Sequence, residues 1–179
     1  MVNCRMIKLN LGCGDRKIHG FINIDQRAEV YPDVIADITN LNYKDVDLIY
    51  AAHVLEHFKN SETCKILRNW YECLKIGGTL RISVPDFEAI VEYYNRTKDL
   101  TSLLTIIYGG HKYDLDYHHT AFDFEALFEK LTNIGFKDIK RYDWRKTEHF
   151  YVDDHSQAYL PHMDKITGTL MSLNVEAKK

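Results

Sequence analysis

Apolar residues recur along the first half of the chain in short, nearly continuous runs separated by longer amphipathic stretches. The runs predict buried β-strands at Met6–Leu11, Phe21–Asp25, Val34–Ile38, Val46–His53 and Thr79–Pro85. Strands of this kind, separated by helices, are typical of a parallel sheet that is covered on both faces. The pattern therefore predicts an α/β fold with a mostly parallel sheet.

A helical spacing of apolar residues marks the stretches between and after these strands. Ser61–Leu74 predicts a helix that ends near Gly77 in a left-handed cap. Asp86 is expected to cap a helix after the fifth strand, and Asp123 to cap another that closes at Gly135. The apolar face of the helix after Asp86 is predicted to consist of Phe87, Ile90, Val91 and Tyr94. A further helix is predicted at Leu100–Tyr108. The last predicted strands are Lys137–Tyr142 and Thr169–Val175.

Composition narrows the class of protein. The 179 residues contain no internal repeat and no linker-like stretch, which predicts a single domain over residues 1–179. A hydrophobic share of 45% excludes a disordered chain, and a net charge of -3 provides no basic field for a nucleic-acid partner. The apolar runs are too short to cross a bilayer and the N-terminus has no secretory segment. We therefore predict a cytoplasmic protein without membrane association.

The cysteines do not form a motif. Cys4, Cys13, Cys64 and Cys73 contain no Cys-x-x-Cys pair. This spacing favours neither a zinc site nor a redox site, and we expect reduced thiols.

A glycine turn follows the first predicted strand. Gly12 and Gly14 flank Cys13, and glycines at this position let the backbone approach a ligand closely. Asp25 ends the second predicted strand, and Asp37 lies near the end of the third. In a doubly wound sheet these strand ends line one crevice, in which ligands bind. A carboxylate there can accept both hydroxyls of a ribose, and a second can accept the exocyclic amino group of adenine.

The spacing distinguishes two classes of nucleoside cofactor. A dinucleotide site needs a third glycine at a helix N-terminus and an acidic residue roughly 20 positions further on. Here Lys17 stands at the third glycine position, and Asp25 follows Gly14 much sooner, which leaves little or no room for a crossover helix. The helix dipole that would hold a pyrophosphate is therefore largely missing. A dinucleotide oxidoreductase is disfavoured, and S-adenosylmethionine, which has ribose and adenine but no phosphates, fits better.

Successive motifs along the chain resemble those of a known family. The motifs are Leu9–Gly14, Asn23–Asp25, Ala36–Ile38, His53–His57 and Leu74–Leu80. They resemble class I S-adenosylmethionine-dependent methyltransferases, and more narrowly the small bacterial and phage members associated with sugar, lipopolysaccharide or capsule biosynthesis. The resemblance covers residues 6 to about 95 and resumes at Thr120–Phe124, Gly135–Phe136 and Ser172–Ala177. It implies a Rossmann-like, doubly wound fold with a mostly parallel seven-stranded sheet and an antiparallel last strand.

The resemblance also implies roles for individual residues. The glycine turn would lie under the methionine moiety, Asp25 and Gln26 would hold the ribose, Asp37 and Ile38 would meet the adenine, and His53 would face the methyl-sulfonium end. The implied cofactor contacts are Asn10, Gly12, Cys13, Gly14, Asp25, Gln26, Asp37, Ile38 and His53. Asn10 stands where many relatives carry Asp or Glu, so a negative charge near the cofactor's ammonium group is missing.

A histidine-rich stretch, His111–His119, follows the fifth predicted strand, where relatives place acceptor-side elements. Methyl transfer is an in-line displacement, so the enzyme must mainly align the reactants and exclude water. A hydroxyl acceptor also needs a base, and histidine suits neutral pH. His118 and His119 are the leading candidates for this base, and His53 and His57 are the alternates.

These observations predict methyl transfer from S-adenosylmethionine to a small-molecule acceptor, such as the hydroxyl of a sugar or nucleotide sugar. A non-catalytic S-adenosylmethionine-binding module or regulatory subunit is the alternative, because the short chain leaves little room for an acceptor-binding insertion. A homodimer is left open. No metal site is predicted, since the set of imidazoles and carboxylates that the sequence offers matches no metal-binding spacing; that set is His111, Asp114, Asp116 and His118.

Overall fold

A computed structural model describes residues 6–179 of the chain. The strands in this range are β1 (Lys8–Leu11), β2 (Ile22–Asp25), β3 (Val34–Ile35), β4 (Val46–Ala52), β5 (Leu74–Pro85), β6 (Lys137–Arg141), β7 (Tyr159–Leu160), β8 (Thr169–Leu170) and β9 (Ser172–Lys178). The α-helices are α1 (Asn60–Cys73), α2 (Phe87–Thr97), α3 (Leu104–Tyr108) and α4 (Phe124–Ile134).

Within the described range, seven strands form one sheet in the order β3-β2-β1-β4-β5-β9-β6, and β7 pairs with β8 separately. The pairs from β3 to β5 are parallel, and β9 runs antiparallel to both of its neighbours. Leu9 of β1 lies opposite Ile22 of β2 and Ile49 of β4. The predicted α/β class, the seven-stranded sheet and its antiparallel last strand are therefore confirmed.

The connection from β1 to β2 contains no helix, as the spacing between Gly14 and Asp25 predicted. Consequently β2 follows β1 almost directly and lies beside it in the sheet. The ends of both strands, together with the end of β4, form the edge at which ligands bind in doubly wound sheets.

Helix α1 closes one face of the sheet. Its side chains Ile66, Leu67 and Trp70 are buried in the main apolar core together with strand residues such as Leu9. The indole Nε1 of Trp70 donates to the carbonyl of Ile38 at 2.8 Å, so the one polar atom of this ring is satisfied inside the core. This contact also fixes the segment after β3 against the helix.

Three of the four predicted helix caps are confirmed. The Asp86 side chain accepts from the N–H of Glu88, and the Asp123 side chain accepts from the N–H of Ala126. Gly135 ends α4 with a φ of 119° in the left-handed region. These contacts satisfy backbone groups that the helix itself leaves unpaired.

The predicted glycine cap after the first helix is wrong. Helix α1 ends at Cys73, and Leu74 is already extended, with φ -67° and ψ 145°. Leu74 pairs with Val46 of β4, so the chain enters β5 without a left-handed residue at the helix end. Gly77, with φ 76°, lies within β5 and donates its N–H to the carbonyl of Lys179.

The predicted apolar face of α2 is also partly wrong. Ile90 and Tyr93 are the buried residues of this helix, and they pack in a small cluster with Leu103 and Met171. The other predicted members are exposed; they are Phe87, Val91 and Tyr94. The cluster covers only one narrow strip of the helix, so the remaining apolar side chains stay at the surface.

Cys13, Cys64 and Cys73 are free thiols. Cys4 and the other residues before position 6, on which the prediction about a secretory segment rests in part, lie outside the described residues. Burial raises the pKa of Cys13 to about 11, so this thiol stays protonated at neutral pH. None of the helices in the described range is both long and apolar enough to span a bilayer.

Candidate functional site

A cavity of about 550 Å³ opens at the carboxyl ends of β1 and β4. It is lined by the glycine turn, by His53 after β4, by residues of the segment between Thr105 and His118, and by His155. A second pocket of about 90 Å³ adjoins it on the β2 side and shares Gly12 with it. The large cavity falls in the size range of small-molecule sites, roughly 300–1,000 Å³.

The glycine turn has backbone angles that favour glycine. Gly12 has a φ of 60° and Gly14 a φ of 52°, values in the left-handed region. A β-carbon on Gly12 would lie 2.6 Å from a methyl carbon of Val54. The N–H of Cys13 donates to the carbonyl of Ile24 at 3.1 Å. The turn is therefore folded tightly onto β2, with its backbone facing the cavity.

Asp25 is almost fully buried and already holds several donors. Its carboxylate accepts from the N–H of Gly14 and the N–H of Arg27, both at 2.9 Å, and from the Arg27 side chain at 3.3 Å. The guanidinium of Arg27 also lies over the Tyr113 ring, 4.4 Å from its centre. A carboxylate offers about four acceptor positions. Asp25 can therefore accept a further hydroxyl, and a second one requires Arg27 to move.

The remaining predicted residues of the β2–β3 edge divide between two places. Gln26 and Ile38 line the smaller pocket together with Asp25. Asp37 lines neither this pocket nor the large cavity. It is exposed, and its carboxylate accepts from the N–H of Thr39 at 2.8 Å. The structure therefore brings Ile38, but not Asp37, to the predicted adenine end.

Asn10 connects the glycine turn to the sheet. It is buried, and its side-chain amide donates to the carbonyl of Arg16 and to the side-chain oxygen of Asn23, both at 3.0 Å. A carboxylate could not donate these two hydrogen bonds. The neutral amide at this position thus has a structural reason, although the residue also lines the cavity.

His53 lies at the end of β4 with its ring fixed from both sides. Its Nε2 lies 2.8 Å from the hydroxyl of Ser172, which itself donates to the carbonyl of His155. Nε2 of His53 is therefore the donor, and Nδ1 keeps a lone pair 3.3 Å from Oε1 of Glu56. Burial holds the pKa of His53 well below its ordinary value, so the ring is neutral.

Glu56 is fully buried beneath the cavity. Among the described residues, neither of its carboxylate oxygens has a hydrogen-bond partner, since the approach of His53 lacks hydrogen-bond geometry. Burial raises the pKa of Glu56 to about 8. Its backbone carbonyl accepts from the N–H groups of His119 and Thr120, which brings the histidine-rich segment to this place.

His57 and His118 face each other beside this carboxylate. Their rings meet edge to face with centres 4.8 Å apart. Nδ1 of His57 lies 3.2 Å from the carbonyl of Tyr117, and Nδ1 of His118 lies 2.9 Å from the carbonyl of Ile106. Burial lowers the pKa of both rings, that of His118 to about 4. Both histidines are therefore neutral at physiological pH.

The structure separates the two leading candidates for the base. His118 lines the 550 Å³ cavity, whereas His119 lines a separate pocket of about 610 Å³ between α1 and α4, beside Asn60 and Cys64. Their backbone N–H groups donate in different directions, that of His118 to Tyr108 and that of His119 to Glu56. Of the two histidines, only His118 lines the cavity.

The residues weighed from the sequence as a metal set also lie apart. Nε2 of His111 is held by the carbonyl of Tyr108, and Asp116 accepts from the N–H of Lys112. Across the described part of the chain, the ligand-type side chains that cluster are instead Glu56, His57 and His118.

Several residues of the cavity were not identified from the sequence. The lining includes Arg27, Tyr113, Asp154 and His155. Asp154 accepts from the hydroxyl of Tyr50 at 2.6 Å, and the ring of His155 lies 5.3 Å from that of His53. Arg27 and Tyr113 stand in or directly beside stretches singled out from the sequence, whereas Asp154 and His155 come from a segment without a motif. Glu56 had a local signal, since it is a charged residue inside an apolar run.

Comparison with known proteins gives a family-level match. A family model described as a methyltransferase domain matches residues 20–82. No curated protein matched the chain.

Solved structures resemble the whole chain at low sequence identity. A SAM-dependent methyltransferase from Archaeoglobus fulgidus has a TM-score of 0.58 and 16% identity over 98% of this chain and 87% of its own. A SAM-dependent methyltransferase from Thermotoga maritima has a TM-score of 0.59 and 15% identity, over 97% of this chain and 82% of its own. Human N-acetylserotonin methyltransferase in complex with SAM has a TM-score of 0.60 and 12% identity, and this chain spans 47% of it.

The two comparisons contribute different conclusions. The solved structures show that the fold is the Rossmann-like methyltransferase fold. The domain match over residues 20–82 adds the activity class. Together, the fold and the domain match over residues 20–82 support an S-adenosylmethionine-dependent methyltransferase, with S-adenosylmethionine as the methyl donor.

Proposed function

We propose that the protein transfers the methyl group of S-adenosylmethionine to a hydroxyl of a small acceptor, a sugar or nucleotide sugar. The observation that carries this proposal is the composition of the 550 Å³ cavity, which combines hydrogen-bonding side chains with cations. The proposal extends to the narrower family resemblance, that of the small bacterial and phage enzymes of glycan biosynthesis.

The cofactor is proposed to lie along the glycine turn and into the smaller pocket. Gly12 belongs to both spaces, which supports a ligand that passes from one to the other. The methionine moiety would then contact the turn, the ribose would contact Asp25 and Gln26, and the adenine would contact Ile38. His53, which also lines both spaces, would stand at the methyl-bearing end.

The acceptor is proposed to occupy the part of the cavity nearer His118 and His155. The lining there offers both donors and acceptors, among them Thr105 and Asp116, as a ligand with several hydroxyls requires. Arg16 and Lys112 add positive charge on the cavity wall. Cations at this position suit the phosphates of a nucleotide sugar.

In the proposed reaction the acceptor oxygen attacks the methyl carbon, the carbon–sulfur bond breaks and S-adenosylhomocysteine leaves. The hydroxyl proton must leave on the acceptor side. His118 is the histidine predicted from the sequence that lies there, whereas His119 has no part in the proposal. Alignment of the reacting atoms supplies much of the rate in a displacement of this type.

Turnover of a panel of nucleotide sugars, followed by release of S-adenosylhomocysteine, tests the proposal. Calorimetry with S-adenosylmethionine and NAD on the same protein establishes cofactor binding. We expect binding of S-adenosylmethionine but not of NAD, and methylation of at least one hydroxyl compound. Tight cofactor binding without turnover on any sugar would instead favour the non-catalytic binding module.

A further inference from the structure

A buried carboxylate and two imidazoles converge below the acceptor end of the cavity. The potential ligand atoms of Glu56, His57 and His118 all lie within 4.8 Å of one another. Nε2 of His118 lies 4.0 Å from Oε1 of Glu56. We propose that these three side chains bind one divalent transition-metal ion.

The unpartnered state of Glu56 is the first argument. The side chain has no exposed surface, and neither of its oxygens makes a hydrogen bond to any described residue. Buried polar atoms in folded proteins almost always have partners, and a buried carboxylate without one is strongly disfavoured. A cation at this point gives both oxygens a partner.

The orientation of the two histidines is the second, independent argument. Nδ1 of His57 is held by the carbonyl of Tyr117, and Nδ1 of His118 by the carbonyl of Ile106. A carbonyl only accepts, so these nitrogens carry the protons, and the other nitrogen of each neutral ring keeps its lone pair. Metal-binding histidines are typically fixed in this way by a backbone carbonyl on the opposite nitrogen.

The ligand set indicates which ions fit. Two imidazoles and one carboxylate form the protein ligands of catalytic zinc sites and of non-haem iron sites, which keep open positions for water or substrate. Bonds of about 2.0–2.1 Å in a tetrahedral site bring ligand atoms to roughly 3.3 Å from each other. The His118–Glu56 pair must therefore approach by about 0.7 Å, and a pair at the 4.8 Å limit of the cluster by about 1.5 Å. Because both histidines line the cavity, the open positions would face it.

An ion at this place would touch the acceptor end of the cavity. A divalent ion lowers the pKa of a hydroxyl group bound to it. The ion, and not His118 alone, would then activate the acceptor hydroxyl. This extension rests on the proposed function, whereas metal binding itself does not.

The test uses the full chain, freed of metal by a chelator, and titration calorimetry with Zn²⁺. We expect one tight equivalent in the parent protein. Glu56→Gln keeps the shape of the side chain but cannot lose a proton to become the anionic ligand that a metal ion requires, and His118→Ala removes one imidazole. Each change should weaken tight binding by more than about 100-fold, the upper range for loss of a mere outer-shell partner. His119→Ala is the matched control, because this neighbouring residue lines the separate pocket, and it should leave the tight equivalent intact.

A second measurement needs no variant. Co²⁺ added to the metal-free parent should give the visible absorption of a four- or five-coordinate site with nitrogen and oxygen ligands, and Zn²⁺ should abolish it. Absence of tight binding and of this spectrum in the parent, or tight binding that survives in Glu56→Gln and His118→Ala, overturns the proposal. S-adenosylmethionine binding is measured on the same samples, so a failed metal site with intact cofactor binding leaves the proposed function standing.

Discussion

The two sides of the cavity are built differently. The strand side consists of the glycine turn and Asp25, and the loop side consists of His57, His118 and the buried Glu56. On the strand side, backbone groups of adjacent strands hold the site, as in the bond from the N–H of Cys13 to the carbonyl of Ile24. On the loop side, side chains are held by carbonyls of another segment, and Nδ1 of His57 reaches Tyr117 60 positions away.

The two sides also differ in how completely their polar groups are satisfied. Asp25 accepts three hydrogen bonds from Gly14 and Arg27. Glu56 accepts none among the described residues. A carboxylate whose hydrogen bonds are already made, like Asp25, is preorganised and gains only a few contacts from a ligand. A buried carboxylate without hydrogen-bond partners, like Glu56, favours binding of a charged group. We therefore expect strand-side changes to alter cofactor binding and stability, and loop-side changes to alter turnover.

The largest expected effect distinguishes His118 from the adjacent His119. His118→Ala should lower kcat by about 10²–10⁴-fold, the range for loss of a group that assists proton transfer. The dissociation constant of S-adenosylmethionine should change little, because His118 lies on the proposed acceptor side. Single-turnover rates together with calorimetry on the same variant measure both quantities.

His119→Ala is the control for this change, since His119 lines a separate pocket and not the cavity. It should keep kcat within a few-fold of the parent. Equal losses in both variants would mean that the segment acts as a structural lid, and the distinction between the two histidines would disappear.

The strand side was the more predictable side for a physical reason. Strand ends and a glycine turn follow from short-range patterns, so β1, β2 and the residues Gly12, Gly14 and Asp25 could be placed from their spacing. Asp37 shows the limit, because β3 stops at Ile35 and the acid lies in a turn outside the pocket. A run of apolar residues predicts the existence of a strand more reliably than it predicts the residue at which the strand ends.

The loop side depends on contacts that no local pattern encodes. His118 and His119 are adjacent and chemically identical, and only tertiary contacts distinguish them, among them the hydrogen bond from the His118 ring to the carbonyl of Ile106. His155 comes from a segment without regular spacing and reaches the site through Ser172. The burial of Glu56 likewise becomes evident only when the segment around His119 packs over it.

The next effect concerns the cofactor. Asp25→Ala should weaken S-adenosylmethionine binding by about 1.5–3 kcal/mol, the range for hydrogen bonds to a charged group, which corresponds to about 10–150-fold in the dissociation constant. The loss has two sources, the ribose contact and the release of Gly14 and Arg27 from the carboxylate. Titration calorimetry of the folded variant measures it.

Asp37→Ala is the matched control, since it removes the other acid of the predicted pair. Because Asp37 is exposed and lies outside both pockets, its loss should alter the dissociation constant less than about 3-fold, well under the range for a hydrogen bond to a charged group. Similar losses for the two variants would show that Asp37 turns toward the adenine when the cofactor binds.

A comparable effect on stability is expected at the glycine turn. Gly12→Ala places a β-carbon 2.6 Å from Val54 at a φ of 60°. The left-handed backbone costs an alanine about 1–2 kcal/mol, and overpacking adds about 1–3 kcal/mol. Gly20→Ala shares the positive φ, 84°, but its β-carbon would meet nothing within 4 Å. Urea unfolding of both variants should therefore show a larger loss of unfolding free energy for Gly12→Ala, and equal losses would mean that Val54 yields without cost.

The smallest effect concerns the segment that joins the two sides. Glu148 precedes His155 on the chain, and its carboxylate binds Arg81 of β5 at 2.9 Å and Lys8 of β1 at 3.3 Å. Partial burial acts to raise the pKa of Glu148, but the hydrogen bond and charge of Arg81 outweigh it and hold this pKa at about 2. The folded pKa thus lies below the ordinary value of 4.5. The pair therefore contributes its full stability above about pH 4.5 and loses it as the pH falls toward 2.

Glu148→Gln removes this charge while keeping an acceptor for Arg81. Because the carboxylate is 40% exposed, we expect the parent to exceed the variant by only about 0.2–1 kcal/mol of unfolding free energy at neutral pH. The difference should shrink steadily between pH 4.5 and pH 3. Burial also lowers the pKa of the neighbouring His149 to about 4, so acid weakens both proteins, and the Glu148 charge partly opposes this lowering in the parent. Urea unfolding across this pH range measures the difference, and a gap that stays constant as the pH falls would show that the ion pair does not anchor the segment carrying His155 to the strands.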